Sequence, residues 1–452
     1  MPQLGAPLPT RVFVSTYHDS IDLRLARHGI TFRHRLEDGT GLWQLKLPHG
    51  AHRIELEQAG PPARPPLELT SLLVGHLRGR ALVPVARLRT RREGVRALGA
   101  EIVEDNVTVL DGVHVARRFR ELEVELVEGD EQTLRRLGKE LRRAGAEERP
   151  LRSKLLQALD LAEPPGPIAI PKGATPRVAV AVSLAEQLRR MLAHDPGTRL
   201  GHDPEDLHQL RVATRRARAV LRAARPLVDR GWADGLRAEL GWLGAALGPA
   251  RDADVLLESM LAEVAALGDD TGAAASLLAQ LEAERTDRRG AVVEALSSDR
   301  YLALLETLEG VEPETVPREG KGTLASVWAA ELRRTRRAAD ALTGDPPDDE
   351  LHAFRIRVKR LRYATELAAH ELGRSRAKDV VRAAKALQET LGEHQDAVVA
   401  EERVRAWAAG DATGRLAAGR LVERARRRRE DARAAWRGEW RRLERRARRL
   451  AR

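Results

Sequence analysis

The sequence predicts an α+β protein of two domains, an antiparallel β domain followed by an all-α domain built from a repeated set of helices. Three observations carry this. Residues 11–126 alternate apolar and polar with period two and are broken by turn signals. After the Pro/Gly-rich stretch Glu163–Pro176 the chain changes to Ala/Leu/Arg/Glu runs with helical spacing and few β-branched residues. Within that second part, Leu207–Arg218 (LHQLRVATRRAR) and Leu351–Arg362 (LHAFRIRVKRLR) repeat at an offset of 352 − 208 = 144 residues. The offset also relates Leu188-Arg189-Arg190 to Leu332-Arg333-Arg334, Leu247-Gly248 to Leu391-Gly392, and Asp252-Ala253 to Asp396-Ala397. A register kept over several segments is an internal duplication, and it suggests paired helical bundles about a pseudo-two-fold axis.

In chain order, Val12-Phe13-Val14 opens the first strand. Ile30–Leu36, Asp38-Gly39 and Leu42–Leu47 read as a β-hairpin, because Asp-Gly suits the left-handed backbone of a two-residue turn. Arg53–Glu57, Val83–Arg91, Glu101–Leu110 and Phe119–Leu126 are further strands, and residues 131–160 read as helical. The domains are expected at 1–162 and 178–452, joined by a linker over 163–177; the repeats are expected at about 178–310 and 322–452, with the break near Val311–Gly322. Asp203-Pro204 fits a helix N-cap with proline in the first turn, and Asp345-Pro346 is similar. Both marked stretches are therefore expected near helix N-termini. The Arg-rich segment Arg424–Arg452 has two readings: a nucleic-acid-binding tail, or a closing bundle helix, since Trp436, Trp440, Leu443, Ala447 and Leu450 share one face.

Composition narrows the function. The chain has 452 residues and a formal charge of +11, which points to a polyanionic partner. Aromatics are only 3% of the residues, sparse for stacking on the bases of single-stranded nucleic acid, and no DNA-reading motif is present. With no cysteine, disulfides, Cys-ligated zinc and thiol catalysis are excluded. The first residues lack a signal-peptide pattern and no apolar run approaches the roughly 18 residues of a membrane span, so the expectation is a soluble, cytoplasmic protein without a membrane partner.

On a helix, His208, Arg211, Arg215, Arg218 and Arg222 fall in one row, as do His352, Arg355, Lys359 and Arg362. Leu207, Leu210, Ala217 and Leu221, and Leu351, Phe354, Val358 and Leu361, fall to the side and form a core face. Like charges one turn apart repel, and no acidic residue lies inside either stretch. One such row reads as a solvated face; a second copy in register is easier to explain by a polyanion that relieves the repulsion. Arg216 and Arg360 belong to the same basic clusters. The histidines are expected to donate hydrogen bonds to phosphate or to a nearby backbone group. Asp252 and Asp396 read either as partners that hold the basic side chains or as ordinary surface charges.

These residues resemble the CHAD domain (conserved histidine α-helical domain). Besides the two basic stretches, the matching parts are Leu247-Gly248, Arg251-Asp252-Ala253-Asp254, Tyr363, Gln388, Leu391-Gly392 and Asp396. The resemblance covers about 178–452. It implies two pseudo-symmetric four-helix bundles whose basic centre binds inorganic polyphosphate, with no cofactor required and polyphosphate granules as a location. The implied binding residues are His208, Arg211, Arg215, Arg216, Arg218, Arg222, His352, Arg355, Lys359, Arg360 and Arg362.

The N-terminal part is similar to a CYTH domain, the triphosphate-tunnel fold. The similarity rests on Tyr17-His18-Asp19, Asp22-Leu23, Leu25-Ala26, Gly29–Arg35 (GITFRHR), Trp43–Pro48 (WQLKLP), Arg87–Arg91 (RLRTR) and Glu121–Glu125 (ELEVE). It implies an antiparallel β-barrel or tunnel with Arg33, Arg35, Lys46, Arg89 and Arg91 on triphosphate and Glu123 and Glu125 on Mg²⁺ or Mn²⁺. The glutamates read equally as a solvated strand face. The family's E-x-E-x-K strand would precede Arg11, where only MPQLGAPLPT stands. The expectation is therefore an incomplete barrel with an exposed edge and weak or no triphosphatase activity. The leading function is polyphosphate binding. The alternative is a metal-dependent triphosphatase or adenylate-cyclase-like enzyme with the helical domain as its substrate-binding module.

Overall fold

The computed structural model describes residues 5–50, 52–147, 152–317, 320, 322–410 and 414–451. The chain forms two compact units, Met1–Gly166 and Pro167–Arg452.

The first unit is an antiparallel sheet. Its strands are β1 (Ala6–Asp19), β2 (Thr31–Glu37), β3 (Thr40–His49), β4 (His52–Ala59), β5 (Val83–Ala97), β6 (Ala100–Asp111) and β7 (His114–Leu126). They lie in the order β4-β3-β2-β1-β5-β6-β7, so the sheet is open, with β4 and β7 as its edges among the described residues. The hairpin read from the sequence is present: Glu37 pairs with Thr40, and Asp38 and Gly39 take φ of 48° and 80°. Alternation sends Phe13, Ser15, Tyr17 and Asp19 of β1 to a buried face. Phe32 and Trp43 stack with centroids 4.9 Å apart. Short helices α1 (Arg24–Arg27), α2 (Leu67–Thr70) and α3 (Val74–Leu77) fill the connections. The span 131–160, expected to be helical, divides into α4 (Glu131–Arg143) and α5 (Lys154–Ala158). Asp130 and Ser153 cap their respective N-termini.

The second unit is helical throughout. Its helices are α6 (Pro176–Leu200), α7 (Pro204–Ala224), α8 (Arg230–Ala265), α9 (Ala275–Ser297), α10 (Asp299–Glu309), α11 (Leu324–Ala341), α12 (Asp348–Leu372), α13 (Arg374–Gly410) and α14 (Arg415–Leu450). Shifting α6 to α9 by 144 residues lands on α11 to α14 in turn, most closely for α8, whose first residue Arg230 becomes Arg374. The duplication read from short motifs therefore extends to four consecutive helices, and α10 is the addition that joins the copies.

α7 begins as expected: the Asp203 side chain accepts from the Glu205 N–H at 2.8 Å, with Pro204 in the first turn. α12 does not use the matching device. It starts at Asp348 after Pro347, and Asp345 instead accepts from Arg433 Nη2 at 2.6 Å. Three acids in the first turn, Asp348, Asp349 and Glu350, offset the helix dipole there.

The two copies share their buried core in two clusters, a large one and a smaller one built from α8, α9, α13 and α14. A continuous buried cluster runs from Ala179 to Leu450 and takes residues from α7 (Leu207, Leu210), α12 (Phe354, Leu361) and α14 (Trp436, Leu443) alike. Phe354 lies edge-on to Trp436 at 5.7 Å and to Trp440 at 5.4 Å. α14 is thus a closing helix, which settles the two readings of the Arg-rich segment.

Because each buried cluster draws on both copies, the helical unit should unfold in one transition. Trp436→Ala should lower its stability by about 3–5 kcal/mol, the usual cost of removing a large buried aromatic. Denaturant unfolding followed by circular dichroism should show one shifted transition; two separated transitions would contradict a shared core.

Candidate functional sites

In the sheet unit, side chains directly across a ladder share a face. Arg33 pairs with Tyr17 and Gln44, Arg35 with Ser15 and Leu42, and Lys46 with Thr31. These three cations therefore lie on the buried face of β1. Each is already engaged. Arg33 donates to Gln44 Oε1 at 2.8 Å and to the Tyr17 hydroxyl at 2.9 Å. Arg35 pairs with Glu37 and lies over the Phe13 ring at 3.8 Å, and Lys46 pairs with Glu55 at 2.6 Å. Arg89 and Arg91 pair with Val14 and Val12, on the opposite face, and both are exposed. The arginine of β5 that points inward is Arg92, one residue out of phase with the expected pair.

Arg92 meets a carboxylate trio. Oxygens of Asp105, Glu121 and Glu123 lie within 4.8 Å of one another. Glu123 falls in this trio as expected; Glu125 is exposed at the far end of β7 and does not. The donor type suits a hard divalent cation, but an internal cation makes those contacts. Lys154 Nζ lies 2.9 Å from Asp105 and 2.8 Å from Glu123, and also pairs with Glu121. Arg92 Nη2 lies 2.7 Å from both Asp105 and Glu123. Burial alone would lower the Lys154 pKa, yet the three carboxylates outweigh it and hold it raised. Burial likewise disfavours ionised Asp105 and Glu123, and Lys154 and Arg92 pull both below the usual carboxylate range. Glu121 stays raised by burial. As arranged, the trio fits a lysine rather than a metal.

In the helical unit the two basic rows meet. α7 and α12 pack against each other, and the Arg215 Nε–H donates to the Tyr363 hydroxyl at 3.0 Å across that contact. The Arg362 guanidinium lies over the Tyr363 ring at 4.7 Å. Tyr363 thus orients one arginine from each copy. Lys359 sits at the centre. Burial, then the charges of Arg355, Arg215, Arg362 and Arg211, pull its pKa down to about 7. No hydrogen bond or ion pair to Lys359 exists among the described residues. Burial likewise lowers Arg355, whose Nε–H donates to the Gln388 carbonyl at 3.3 Å. Burial, with Arg251 beside it, lowers His208. His352 Nδ1 is buried without a hydrogen-bond partner. Arg211 is braced by Asp252 at 2.7 Å, which supports the partner reading of that aspartate.

Glycines of α8 and α13 lie against guanidinium groups. A Cβ on Gly392 would lie 3.0 Å from Arg355 Nη2, a tight contact, whereas Cβ atoms on Gly248 and Gly241 would lie 3.7 Å from Arg211 Nη2 and 3.5 Å from Arg218 Nη2, ordinary van der Waals distances.

Three predicted residues are placed elsewhere. Arg216 is paired with Glu366 at 3.4 Å. Arg222 and Arg360 line a different pocket, with Arg357 and Arg334. Burial and then the charges of Arg237, Glu331, Arg357 and Arg334 act most on Arg222, whereas burial and then Arg355, Arg215, Arg362 and Arg211 act most on Lys359.

Comparison with known proteins follows the same division. A CYTH domain is matched over residues 4–157 and a CHAD domain over 182–405. An uncharacterized protein of Mycobacterium tuberculosis is 32% identical over 439 residues, covering 88% of this chain and 82% of that protein. The crystal structure of the CHAD domain from the plant Ricinus communis matches with a TM-score of 0.51 and 27% identity, over 61% of this chain and 94% of that one.

Two predictions follow from the charges. Between pH about 7 and the ordinary lysine value of 10.5 the unfolded chain holds a proton at Lys359 that the folded protein does not. The destabilisation from burying Lys359 is therefore complete below pH 7 and fades as pH rises toward 10.5. Lys359→Met should raise the thermal midpoint at pH 6 and lose that advantage by pH 10; an equal gain at both would contradict the assignment. Lys154→Ala should cost roughly 3–5 kcal/mol at neutral pH, the usual result of removing one partner from a buried ionic cluster. Denaturant unfolding of the sheet unit measures it.

Proposed function

This chain is a CYTH–CHAD protein of one family with the mycobacterial protein, and on that premise we propose that its helical unit binds inorganic polyphosphate. The observation that carries the reading is the meeting of Arg211 and Arg215 with Arg355, Lys359 and Arg362, around a lysine that makes no ion pair among the described residues and has only the more distant charge of Asp396 set against it. Phosphate oxygens spaced along a chain would relieve that repulsion and return the Lys359 proton. Arginine forks suit phosphate oxygens two at a time. Arg218, near Gly241, extends the row, and His208 and His352 stand at its start as hydrogen-bond donors. No metal or organic cofactor is needed for this. Inorganic polyphosphate has no bases, so the scarcity of aromatics is no handicap, whereas it disfavours nucleic acid. Among the described residues no helix is long and apolar enough to cross a membrane.

A second reading concerns the CYTH unit and is supported by the CYTH domain match over residues 4–157. It makes the protein a metal-dependent triphosphatase or adenylate-cyclase-like enzyme whose helical unit holds substrate. Arg33, Arg35, Lys46 and Arg92 would face the phosphates. Asp105, Glu121 and Glu123 would hold Mg²⁺ or Mn²⁺ once Lys154 withdraws, and the metal would supply Lewis-acid charge.

The binding reading predicts that affinity for long-chain polyphosphate falls linearly with the logarithm of salt concentration. Arg215→Ala, Arg355→Ala and Lys359→Ala should each weaken it by roughly tenfold or more, as expected for hydrogen bonds to charged groups, with a shallower salt dependence. Fluorescence anisotropy with labelled polyphosphate measures both, and duplex DNA competing equally charge for charge would sink the reading. For the enzyme reading, Mg²⁺- or Mn²⁺-dependent phosphate release from tripolyphosphate or ATP should disappear in Glu121→Gln. Release that is absent from the unaltered protein removes that reading and leaves the binding one standing.

A further inference from the structure

We propose that α7, α11 and α12 enclose a second anion site, distinct from the Lys359 group, that takes a short diphosphate or triphosphate group. The site is a pocket of about 340 Å³. Arg222, Arg357 and Arg360 line it, and none of them makes a hydrogen bond or ion pair among the described residues. Arg225, Arg230 and Arg334 complete the lining; Arg225 pairs with Asp234 at 2.8 Å and Arg334 lies 3.3 Å from Glu331 Oε2, while Glu331 Oε1 is buried without a hydrogen-bond partner. Burial, Arg222 and Arg357 lower the Arg360 pKa, and Glu331 opposes them. The pocket therefore concentrates an excess of positive charge that Glu331 offsets only in part, in a partly enclosed space where an anion is worth more than on an open surface.

The duplication supplies an internal control. Shifted by 144 residues, Arg222 corresponds to Glu366, Arg360 to Arg216, Arg357 to Ala213, Ala219 to Tyr363 and Ala223 to Leu367. In the other copy, Glu366 neutralises Arg216 at 3.4 Å, and Tyr363 and Leu367 are buried where the first copy has alanines. One copy thus closes this position with an ion pair and two large side chains. The other opens it with alanines and replaces the glutamate by arginine. The rows His208–Arg218 and His352–Arg362 stayed alike while this position diverged, so the pocket is not a by-product of the repeat.

The floor and the rim set the ligand class. Ala219, Ala223, Val327 and Ala364 offer no side-chain donor or acceptor to a sugar or a base. Recognition falls to the guanidinium groups. Six arginines line the pocket, and Asp234 and Glu331 offset two of them, Arg225 and Arg334; the excess matches the three to four negative charges of a diphosphate or triphosphate. A free inorganic group and the phosphate end of a small ester share this chemistry.

Isothermal titration calorimetry on the full chain, at fixed ionic strength, tests the site with inorganic pyrophosphate as the probe. Arg222→Glu places beside Arg360 the acid that the other copy sets against Arg216 as Glu366. It should weaken pyrophosphate binding by about tenfold or more, as loss of a charge-assisted contact and gain of a repulsive one would. Arg360→Ala should act in the same direction. Lys359→Met should weaken long-chain polyphosphate binding and leave pyrophosphate within about twofold. The proposal is overturned if pyrophosphate does not bind, if Arg222→Glu leaves its affinity unchanged, or if Lys359→Met abolishes it. A parallel titration with ADP identifies the source: binding equal to pyrophosphate supports an esterified diphosphate, and its loss supports a free one. The outcome does not depend on what occupies the Lys359 group.

Discussion

Charge repulsion held in place by an apolar core is the constraint on which the helical unit depends. α7 and α12 bring five cations from two copies of one motif to a single contact, and Lys359 at its centre makes no ion pair among the described residues, with Asp396 acting on it only as a more distant charge. Such an arrangement opposes folding. It persists because Leu207, Leu210, Phe354, Val358 and Leu361 on the neighbouring faces join one buried cluster that also includes α14. Had each copy closed its own core, the rows could have moved apart to relieve their repulsion. The shared core removes that freedom.

The two units solve opposite electrostatic problems. In the sheet unit, three carboxylates are gathered and neutralised from within by Lys154 and Arg92. That cluster is internally complete around neutral pH, since the raised lysine and the lowered Asp105 and Glu123 all favour their charged forms. In the helical unit the cations outnumber the acids set against them: Asp252 braces Arg211, Glu366 lies 3.8 Å from Arg362 and Asp396 acts on Arg355, while Lys359 makes no ion pair among the described residues. A buried charge without a paired partner costs stability, so a lysine kept in that state is better explained by a ligand than by the fold.

Small residues do more here than fill space. Gly392 lets the Arg355 guanidinium lie against α13, where a methyl group would crowd it. Ala219 and Ala223 leave open a pocket that Tyr363 and Leu367 fill in the other copy. The duplication therefore shows both what was held constant, the cationic rows and the glycines behind them, and what was free to change.

Much of this was legible in the sequence because it rests on local periodicity. Two-residue alternation with Asp38-Gly39 fixed the hairpin, and the 144-residue offset located the helices that pair across the copies. The core face of each basic helix followed from helical spacing alone. Periodicity shows which residues share a face; it does not show what that face meets. Arg89 and Arg91 do share one, but strand pairing turned it outward and turned Arg92 inward. The same limit hid Lys154, which lies far along the chain from Asp105 and reaches the trio only through the placement of α5. It also concealed the division of the basic rows, in which Arg215 and Lys359 converge while Arg222 and Arg360 turn to a separate pocket. The repeat and its charge were thus determined by sequence, and only packing between α7 and α12 decided which charges stand together, because that depends on how two helices cross rather than on the spacing along either.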